Sequence, residues 1–360
     1  GTEKRNAFEI SDAMDRIGAQ VNAFTSKDIT CYYAKSTSDH AGEAFEILSD
    51  FVLNSTFPEE EMDREKGVVC EEISMTEDTP DDLCLDILSE AYFGNSGYGR
   101  TILGPANNVK GFSRKNLFDY IDERYNPENL VISFAGKIDI KYAEELVAEH
   151  FEKHLKKREF DNRKKVLEQK GDSLYKSKDI EQVHIAFAWP SLAREDKLMD
   201  AALVVNTILG GGMSSRLFQK VREQMGLAYA VYSYISSFTE GGILTVYAGV
   251  NPSSVGKAQD AIMHTIEEFC KNKFTKDEFL RGKEQLKSSV ILSQENTASQ
   301  MIAYGKYLLF NDKILDLDQR VKDIDSMTME DCENALSLNF DMSRKAAAAV
   351  GKLKKPLVIK

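Results

Sequence analysis

FPEEEMDREKG at residues 57–67 and FTKDEFLRGKE at residues 274–284 are two versions of one segment, separated by 217 positions. Four positions carry the same residue in both copies: Phe57 and Phe274, Glu61 and Glu278, Arg64 and Arg281, and Lys66 and Lys283. A repeat at this distance in a chain of 360 residues predicts two structurally similar halves instead of two unrelated domains.

The two copies differ at two acidic positions. At the same spacing, Glu65 and Glu72 of the first copy correspond to Gly282 and Ser289 of the second. A residue that only the fold requires should be present in both halves, whereas a pair of carboxylates found in one half is a candidate for chemistry. Glu65, Val69 and Glu72 are spaced so that both carboxylates project from one face of a helix.

Two interpretations of this helix remain open. It could be an ordinary acidic and solvated surface, because other glutamates crowd the same segment: Glu59, Glu60, Glu61 and Glu71. The apolar neighbours Val68, Val69 and Ile73 instead predict that the surroundings of Glu72 are partly buried. A carboxylate in such surroundings needs a cation or hydrogen-bond donors to offset its desolvation.

Length and composition predict a two-domain globular protein. A chain of 360 residues exceeds the usual limit for one hydrophobic core, and 42% of its residues are hydrophobic and 29% charged. The net charge of −12 argues against a nucleic-acid partner and is compatible with basic peptides. No apolar run approaches the length of a membrane span. The five cysteines are scattered and never spaced C-x-x-C, which predicts reduced thiols in a cytoplasmic protein.

Helical and strand patterns recur in the same order in both halves. They predict an α+β fold of two homologous halves, each a largely antiparallel sheet with helices packed on one side. A charged stretch with little apolar periodicity separates them, so we place a first domain at 1–160, a linker at 161–175 and a second domain at 176–360. The patterns include a buried strand at Leu130–Ile138 and a helix at Ser214–Met225.

His150 and His154 suggest a metal site, because their spacing places both imidazoles on one face of a helix. Glu152, however, lies about 200° around the helix from His150. It therefore cannot be the general base of an H-E-x-x-H or H-x-x-E-H site. We interpret the two histidines as part of a solvated helix end.

Arg222 and Tyr229 flank Gly226 at a predicted junction between a helix and a strand. Both side chains donate hydrogen bonds, so the pair could polarise a peptide carbonyl or hold an oxyanion. The alternative is an ordinary helix end followed by a strand tyrosine. The preceding triglycine Gly210–Gly212 lacks the Lys-Ser/Thr of a phosphate loop and predicts a flexible connection near a binding cleft.

Four motifs in this order resemble the insulinase/pitrilysin-like zinc peptidases, most closely the branch that contains the mitochondrial processing peptidase and its bacterial relatives. The motifs are GTEKRNAFEIS, GAQVNAFTSKDITCYY, REKGVVCEEI and GGGMSSRLFQKVREQMGLAYAVYS. The resemblance covers essentially the whole chain. It implies two homologous α+β halves, one active and one substrate-handling, and a catalytic Zn²⁺ held by an inverted H-x-x-E-H motif and a distal Glu.

The resemblance also implies a role for several residues. Glu72 matches the distal zinc ligand, and Glu65 matches an additional acidic residue that supports the site. Asn22 and Ala23 match the edge strand on which family members pair an extended substrate. Arg222 and Tyr229 match the pair that contacts the substrate near the scissile carbonyl, so the implied partners are peptides enclosed between the two halves. Units of this size in the family usually pair, which implies a homodimer or a related partner subunit.

One departure from the family leaves two functions open. In the family, H-x-x-E-H comes a few residues before the G-T that is Gly1-Thr2 here, and these 360 residues contain no such motif. If the motif lies upstream, the chain is part of a zinc metalloendopeptidase. If it never existed, the chain resembles the non-catalytic partner or scaffold subunits of processing-peptidase-like complexes. Retention of Glu65, Glu72, Arg222 and Tyr229 favours the enzyme, and we expect the chain as given to bind Zn²⁺ weakly and to be inactive.

Overall fold

The computed structural model describes residues 1–152, 171–341 and 344–353, which form two compact units. Of these residues, unit 1 contains 1–73, 102–152 and 293–315, and unit 2 contains the remainder. Each unit thus takes one segment from the other half of the chain: residues 74–101 belong to unit 2 and residues 293–315 to unit 1. The contiguous ranges predicted from the sequence, 1–160 and 176–360, contain no such exchange.

The helices of the described residues are, in chain order, α1 (Ala7–Arg16), α2 (Ala41–Asn54), α3 (Glu59–Asp78), α4 (Pro80–Phe93), α5 (Ala106–Gly111), α6 (Arg114–Arg124), α7 (Ile140–His150), α8 (Met199–Gly210), α9 (Val255–Asn272), α10 (Lys276–Leu292), α11 (Thr297–Asn311), α12 (Leu317–Ser326) and α13 (Met329–Asn339). The strands are β1 (Gln20–Thr25), β2 (Thr30–Lys35), β3 (Ser173–Ser177), β4 (Val183–Ser191), β5 (Ala228–Ser237), β6 (Gly242–Val250) and β7 (Ala346–Gly351). None of these helices combines the length and the apolar character that a bilayer crossing requires.

Unit 2 is built on a five-stranded sheet with the order β3-β7-β4-β6-β5. Only the β3–β7 pair is parallel, and β4 lies between β7 and β6, antiparallel to both. Alternate residues of β4 serve the two faces of the sheet, as strand geometry requires. Ile185, Phe187 and Trp189 enter the larger core with α8, α9 and α13.

Small residues on the other face of the same sheet allow α4 to pack closely. Ala186 and Ala188 of β4 and Ala346 and Ala348 of β7 contact the apolar side of α4. The α+β class predicted from the sequence is confirmed, with one correction: the sheet of unit 2 carries helices on both faces. Periodicity identifies the apolar side of α4 but does not reveal which sheet buries it.

Unit 1 contains the two-stranded antiparallel sheet β1–β2 and two small cores. One core joins α1 to α2 through Met14, Ile17, Ala44 and Ile47. The other joins α2 to α7 through Phe45, Leu146 and Phe151. Neither strand has a buried residue, in contrast to the fully buried β6 of unit 2.

The two halves also match outside the repeated segments at residues 57–67 and 274–284. Ser113 and Thr328 both close a capping box, at the starts of α6 and α13, which have the same length. Gly136 follows residues 131–135 with a φ of 133°, and Gly351 ends β7 with a φ of 139°. When the two halves are matched along this repeat, α3 is equivalent to α10, α4 to α11, and the β1–β2 hairpin to the β5–β6 hairpin.

The strand predicted at Leu130–Ile138 is wrong. Residues 130–135 are half-buried and form no strand, although Leu130, Ile132 and Phe134 direct their side chains toward the α2–α7 core at the spacing of a strand. A strand needs a hydrogen-bonded neighbour, and among the described residues this segment has none. The apolar pattern correctly indicates side chains that pack against a core, but it identifies neither their half-buried state nor a pairing partner.

The predicted linker and the predicted helix at Ser214–Met225 each differ in part from the structure. Residues 161–170 of the predicted linker lie outside the described residues, whereas residues 173–175 begin β3. The helix predicted at Ser214–Met225 is π-helical over Phe218–Gln224. The sequence missed β3 because its surroundings are charged and carry little apolar alternation.

Candidate active site

Glu65 and Glu72 lie on α3, and both side chains are exposed. Among the described residues, no hydrogen bond or ion pair reaches either carboxylate. Val69 and Ile73 beside Glu72 are half-buried, and Val68 is 50% exposed. The partly buried surroundings predicted for Glu72 are thus present at Val69 and Ile73, but the carboxylate itself is exposed, and no residue of α3 is buried.

The first residues of the chain are fixed next to α3. Thr2 forms an isolated β-bridge with Ser55, and the Thr56 amide donates to the Gly1 carbonyl at 3.0 Å. These contacts place the Gly1 nitrogen 3.5 Å from Glu61 Oε2. Because Glu61 precedes Glu65 by one helical turn, Gly1 lies beside the face that carries Glu65 and Glu72.

A buried carboxylate on α2 anchors this N-terminal segment. Asp50 is 4% exposed and accepts hydrogen bonds from Thr2 Oγ1 at 2.8 Å, Arg5 at 3.1 Å and Asn54 at 3.0 Å. Burial by itself would raise the pKa of Asp50, but these hydrogen bonds and the nearby positive charges hold it below its ordinary value. Asp50 therefore remains ionised and holds residues 1–5 against α2.

Arg222 and Tyr229 come together at the π-helix of unit 2. The guanidinium carbon of Arg222 lies 4.8 Å from the centroid of the Phe218 ring and 5.1 Å from that of Tyr229. Gly226 turns the chain between them with a φ of 59°, a conformation that costs glycine nothing. The guanidinium is thus held between two rings through cation–π contacts.

This arrangement leaves both donors available to a ligand. The Tyr229 side chain is 76% exposed, and that of Arg222 is 38% exposed with one ion pair, to Glu223 at 3.7 Å. Short π-helical segments are frequent at functional sites. Sequence reasoning missed Phe218, which positions Arg222. Its spacing of four residues before Arg222 was the available signal.

Asn22 and Ala23 lie in β1, whose strand partner among the described residues is β2, on one side. The Ala23 amide donates to the Asn22 side-chain oxygen at 2.8 Å. The exposed edge of β1 therefore has a backbone donor whose present acceptor is a movable side chain. An incoming extended chain could replace that acceptor with its own carbonyl.

Two other features have structural explanations. A Cβ at Gly210, the last residue of α8, would lie 2.4 Å from Ser233 Oγ of β5, and one at Gly211 would lie 2.7 Å from the Thr207 backbone. Close packing accounts for these two glycines. His150 packs edge-on against Phe45, and His154 lies outside the described residues.

The described residues do not by themselves fit a catalytic zinc ion. A catalytic zinc site requires three protein ligands and an open position. No group of three or more His, Cys, Asp or Glu side chains that could hold a metal occurs in the described part of the chain. Glu65 and Glu72 provide two carboxylates on one helix face.

Comparison with known proteins identifies the family. Residues 1–106 match the family model described as "Insulinase (Peptidase family M16)", and residues 111–286 match "Peptidase M16 inactive domain". The chain is 40% identical over 337 residues to "Uncharacterized zinc protease YmxG" of Bacillus subtilis, covering 92% of this chain and 80% of that protein. It is 35% identical to "Uncharacterized zinc protease SCO5738" of Streptomyces coelicolor, covering 98% of this chain and 78% of that protein.

Two solved structures share the fold. A peptidase M16 inactive domain from Pseudomonas fluorescens superimposes with a TM-score of 0.90, covering 99% of this chain and 87% of that one. A protease from Helicobacter pylori superimposes with a TM-score of 0.89, covering 98% and 86%. Each is 21% identical to this chain. Sequence matches over nearly the whole length and this common fold lead to one conclusion: the chain belongs to the insulinase family of peptidases, peptidase family M16.

Proposed function

We propose that this chain acts in a zinc metalloendopeptidase that hydrolyses peptides bound in extended form. Glu72 is the zinc ligand that the chain contributes, and Glu65 supports the site. Arg222 and Tyr229 donate hydrogen bonds to the substrate near the scissile carbonyl, and the β1 edge at Asn22 and Ala23 pairs with the substrate backbone. The observation that carries this proposal is the difference between α3 and its equivalent α10.

In unit 2, α10 is covered by α8. A Cβ built at Gly282 would lie 3.1 Å from Val204 Cγ1 and 3.3 Å from Ile208 Cγ1, both on α8. Glu65 is the equivalent of Gly282, so it faces the position that an equivalent of α8 would occupy in unit 1. Ligands carried by such a helix would be next to Glu65 and Glu72.

Neither β4 nor α8 has an equivalent among the described residues of unit 1. In unit 2, β4 pairs with both β6 and β7, and α8 packs against α10 and α13. In the described part of unit 1, all four equivalents lack this cover: β2, α3 and α6 have no buried residue, and residues 131–135 have no strand partner. We infer that a strand and a helix carrying H-x-x-E-H complete unit 1.

The reading frame preceding Gly1 provides the first test. An encoded H-x-x-E-H motif there supports the enzyme, and its absence contradicts the proposal. A second test is the zinc content of the full-length protein with Glu72→Gln, using Glu71→Gln as the control. Glu71 is an adjacent exposed carboxylate that points away from Glu72 by about 100°. We expect zinc to be lost from Glu72→Gln alone, and unchanged zinc and activity would refute the assignment.

The alternative function is that of a non-catalytic partner or scaffold subunit in a processing-peptidase-like complex. It would follow if the reading frame preceding Gly1 encoded no H-x-x-E-H motif. In that case the full-length protein would hold no zinc and would activate a separate catalytic subunit. We propose a homodimer or a related subunit as the partner in either case, and sedimentation velocity of the full-length protein tests this directly.

A further inference from the structure

The chain departs from regular secondary structure just before Gly226. Residues Phe218–Gln224 form a π-helix, and the Met225 amide donates to the Lys220 carbonyl, five residues earlier, at 3.2 Å. A helical turn with this hydrogen bond contains one residue more than an α-helical turn, and such turns are frequent at functional sites. Arg222 lies in this π-helix.

A second irregularity, a β-bulge, follows Gly226 at the start of β5. Ala228 and Ala230 lie opposite consecutive residues of β6, so two steps along β5 correspond to one step along β6. Tyr229 is the extra residue. A bulge of this kind aims a side chain in a direction that regular pairing does not allow, and the Tyr229 side chain is accordingly 76% exposed.

Unit 1 makes the corresponding turn without either irregularity. Gly18 has a φ of 63° two residues before β1, as Gly226 has a φ of 59° two residues before β5. The helix before Gly18 is α-helical from Ala7 to Arg16, and β1 pairs with β2 residue for residue. The fold therefore requires neither the π-helix nor the bulge, which makes both of them candidates for function.

The two irregular segments bring three side chains together. Leu217 and Val221 are fully buried in the core, so the backbone that carries the half-buried Phe218 has a defined position. The guanidinium carbon of Arg222 lies 4.8 Å from the centroid of the Phe218 ring and 5.1 Å from that of the exposed Tyr229 ring. Phe218 is thus the fixed aromatic contact of the guanidinium.

Little else restrains Arg222. Among the described residues, its other polar contact is the ion pair with Glu223 at 3.7 Å, and the Glu223 side chain is 53% exposed. An exposed pair of this length holds a side chain weakly. A free arginine side chain loses conformational entropy when a ligand immobilises it, so a guanidinium that is held in advance binds the ligand more tightly.

We propose that Phe218 is a positioning residue for peptide binding. Its ring holds the Arg222 guanidinium beside Tyr229 before the substrate arrives, so that both hydrogen-bond donors are presented together to the peptide. Phe218 itself contacts no substrate. This inference rests on the proposed function, in which Arg222 and Tyr229 donate hydrogen bonds to the peptide near the scissile carbonyl.

The first experiment observes Arg222 in the free chain by nuclear magnetic resonance, without peptide or zinc. With isotope-labelled arginine, the Arg222 Nε–Hε signal is the one that Arg222→Gln removes from the spectrum. We expect Phe218→Leu to shift this signal and to lower its heteronuclear Overhauser effect, because the guanidinium loses its ring contact and becomes mobile. Phe218→Tyr should leave the signal nearly unchanged. Identical Arg222 signals in the unmodified chain and in Phe218→Leu would overturn the proposal.

The second experiment measures the dissociation constant of a fluorescein-labelled, acetylated heptapeptide by fluorescence anisotropy. Phe218→Leu should weaken binding about fivefold, the cost of immobilising one long side chain. Phe218→Tyr keeps the ring face and should retain the affinity. The matched control is Phe218→Leu in a chain that already carries Arg222→Gln. There it should change the affinity by less than about twofold, because no guanidinium remains to be held.

The control separates positioning from support of the fold. Equal weakening by Phe218→Leu with and without Arg222, or equal weakening by Phe218→Leu and Phe218→Tyr, would overturn the proposal. If Arg222→Gln weakens binding and Phe218→Leu does not, the positioning role fails and the proposed function stands. If the unmodified chain binds no peptide, or Arg222→Gln leaves the affinity unchanged, the proposed role of Arg222 fails and the positioning role fails with it.

Discussion

The two long helices α3 and α10 descend from one repeated segment and differ in what covers them. Phe279, Gly282 and Val290 of α10 are buried, and Gly282 lies against α8. On α3 no residue is buried, and Glu65 stands where α10 has Gly282. The same position of the repeat therefore carries a glycine where two helices pack closely and a glutamate where the helix face is open. The difference separates residues that the fold requires from residues available for chemistry.

The largest expected effect on stability comes from giving α10 of unit 2 the glutamate that α3 carries at Glu65. Gly282→Glu forces a charged side chain between α10 and Val204 and Ile208, so we expect it to destabilise unit 2 by about 3 kcal/mol or more. Urea denaturation followed by the fluorescence of Trp189, the single tryptophan, reports on unit 2 because that ring is fully buried in β4.

Gly67→Glu is the matched control on α3. A Cβ at Gly67 meets nothing within 4 Å, so this change should cost nothing and should favour the helix by up to about 1 kcal/mol. Because Trp189 reports on unit 2, the helical gain is followed by circular dichroism. Equal destabilisation by both substitutions would show that α3 is covered as α10 is.

An intermediate effect on stability should distinguish Glu278 from Glu61, which occupies the same position of the repeated segment. A hydrogen bond from Arg216 is the largest of the effects that lower the pKa of Glu278 to about 2, and both guanidinium contacts are 2.8 Å long. We expect Glu278→Gln to cost about 1.5–3 kcal/mol at pH 7. Glu61 has no comparable partner in the described residues, so Glu61→Gln should change stability by less than about 0.5 kcal/mol.

The pH dependence of this pair follows from the direction of the shift. A folded-state pKa below the unfolded value of 4.5 contributes stability that is fully present above pH 4.5. This contribution is lost as the pH falls from 4.5 toward 2. The stability difference between the unmodified protein and Glu278→Gln should therefore shrink over that range, and a constant difference would contradict the ion-pair explanation.

The smallest expected effect comes from removing the exposed hydroxyl of Tyr229, a hydrogen-bond donor of unit 2. Tyr229→Phe keeps the ring that holds Arg222 and removes one hydroxyl donor, so stability should change by less than about 0.5 kcal/mol. Affinity for an extended peptide should fall by less than about tenfold, the value of one neutral hydrogen bond. Tyr120→Phe, at an exposed tyrosine of unit 1, is the control, and equal peptide affinities for both variants would remove Tyr229 from the substrate site.

The sequence predicted what depends on neighbours along the chain. The shared face of Glu65 and Glu72 follows from helical spacing, and the helix around Ser214–Met225 follows from its local pattern. The pairing of strands and the burial of helix faces depend on segments distant in sequence. Residues 130–135 have the apolar pattern of a strand but no strand partner among the described residues, and the half-buried Val69 and Ile73 lie beside a Glu72 carboxylate that is itself exposed. The exchange of α4 into unit 2 was likewise invisible, because an apolar helix face does not specify which sheet it contacts.

Zinc content tests the central claim most directly: among the metal ligands required, this chain supplies Glu72 alone. The 360-residue chain is incubated with equimolar zinc, dialysed, and measured by elemental analysis, with peptide hydrolysis assayed in parallel. We expect less than about 0.1 zinc per chain and no hydrolysis, because a catalytic zinc requires three protein ligands. One zinc per chain together with peptide hydrolysis would contradict the account.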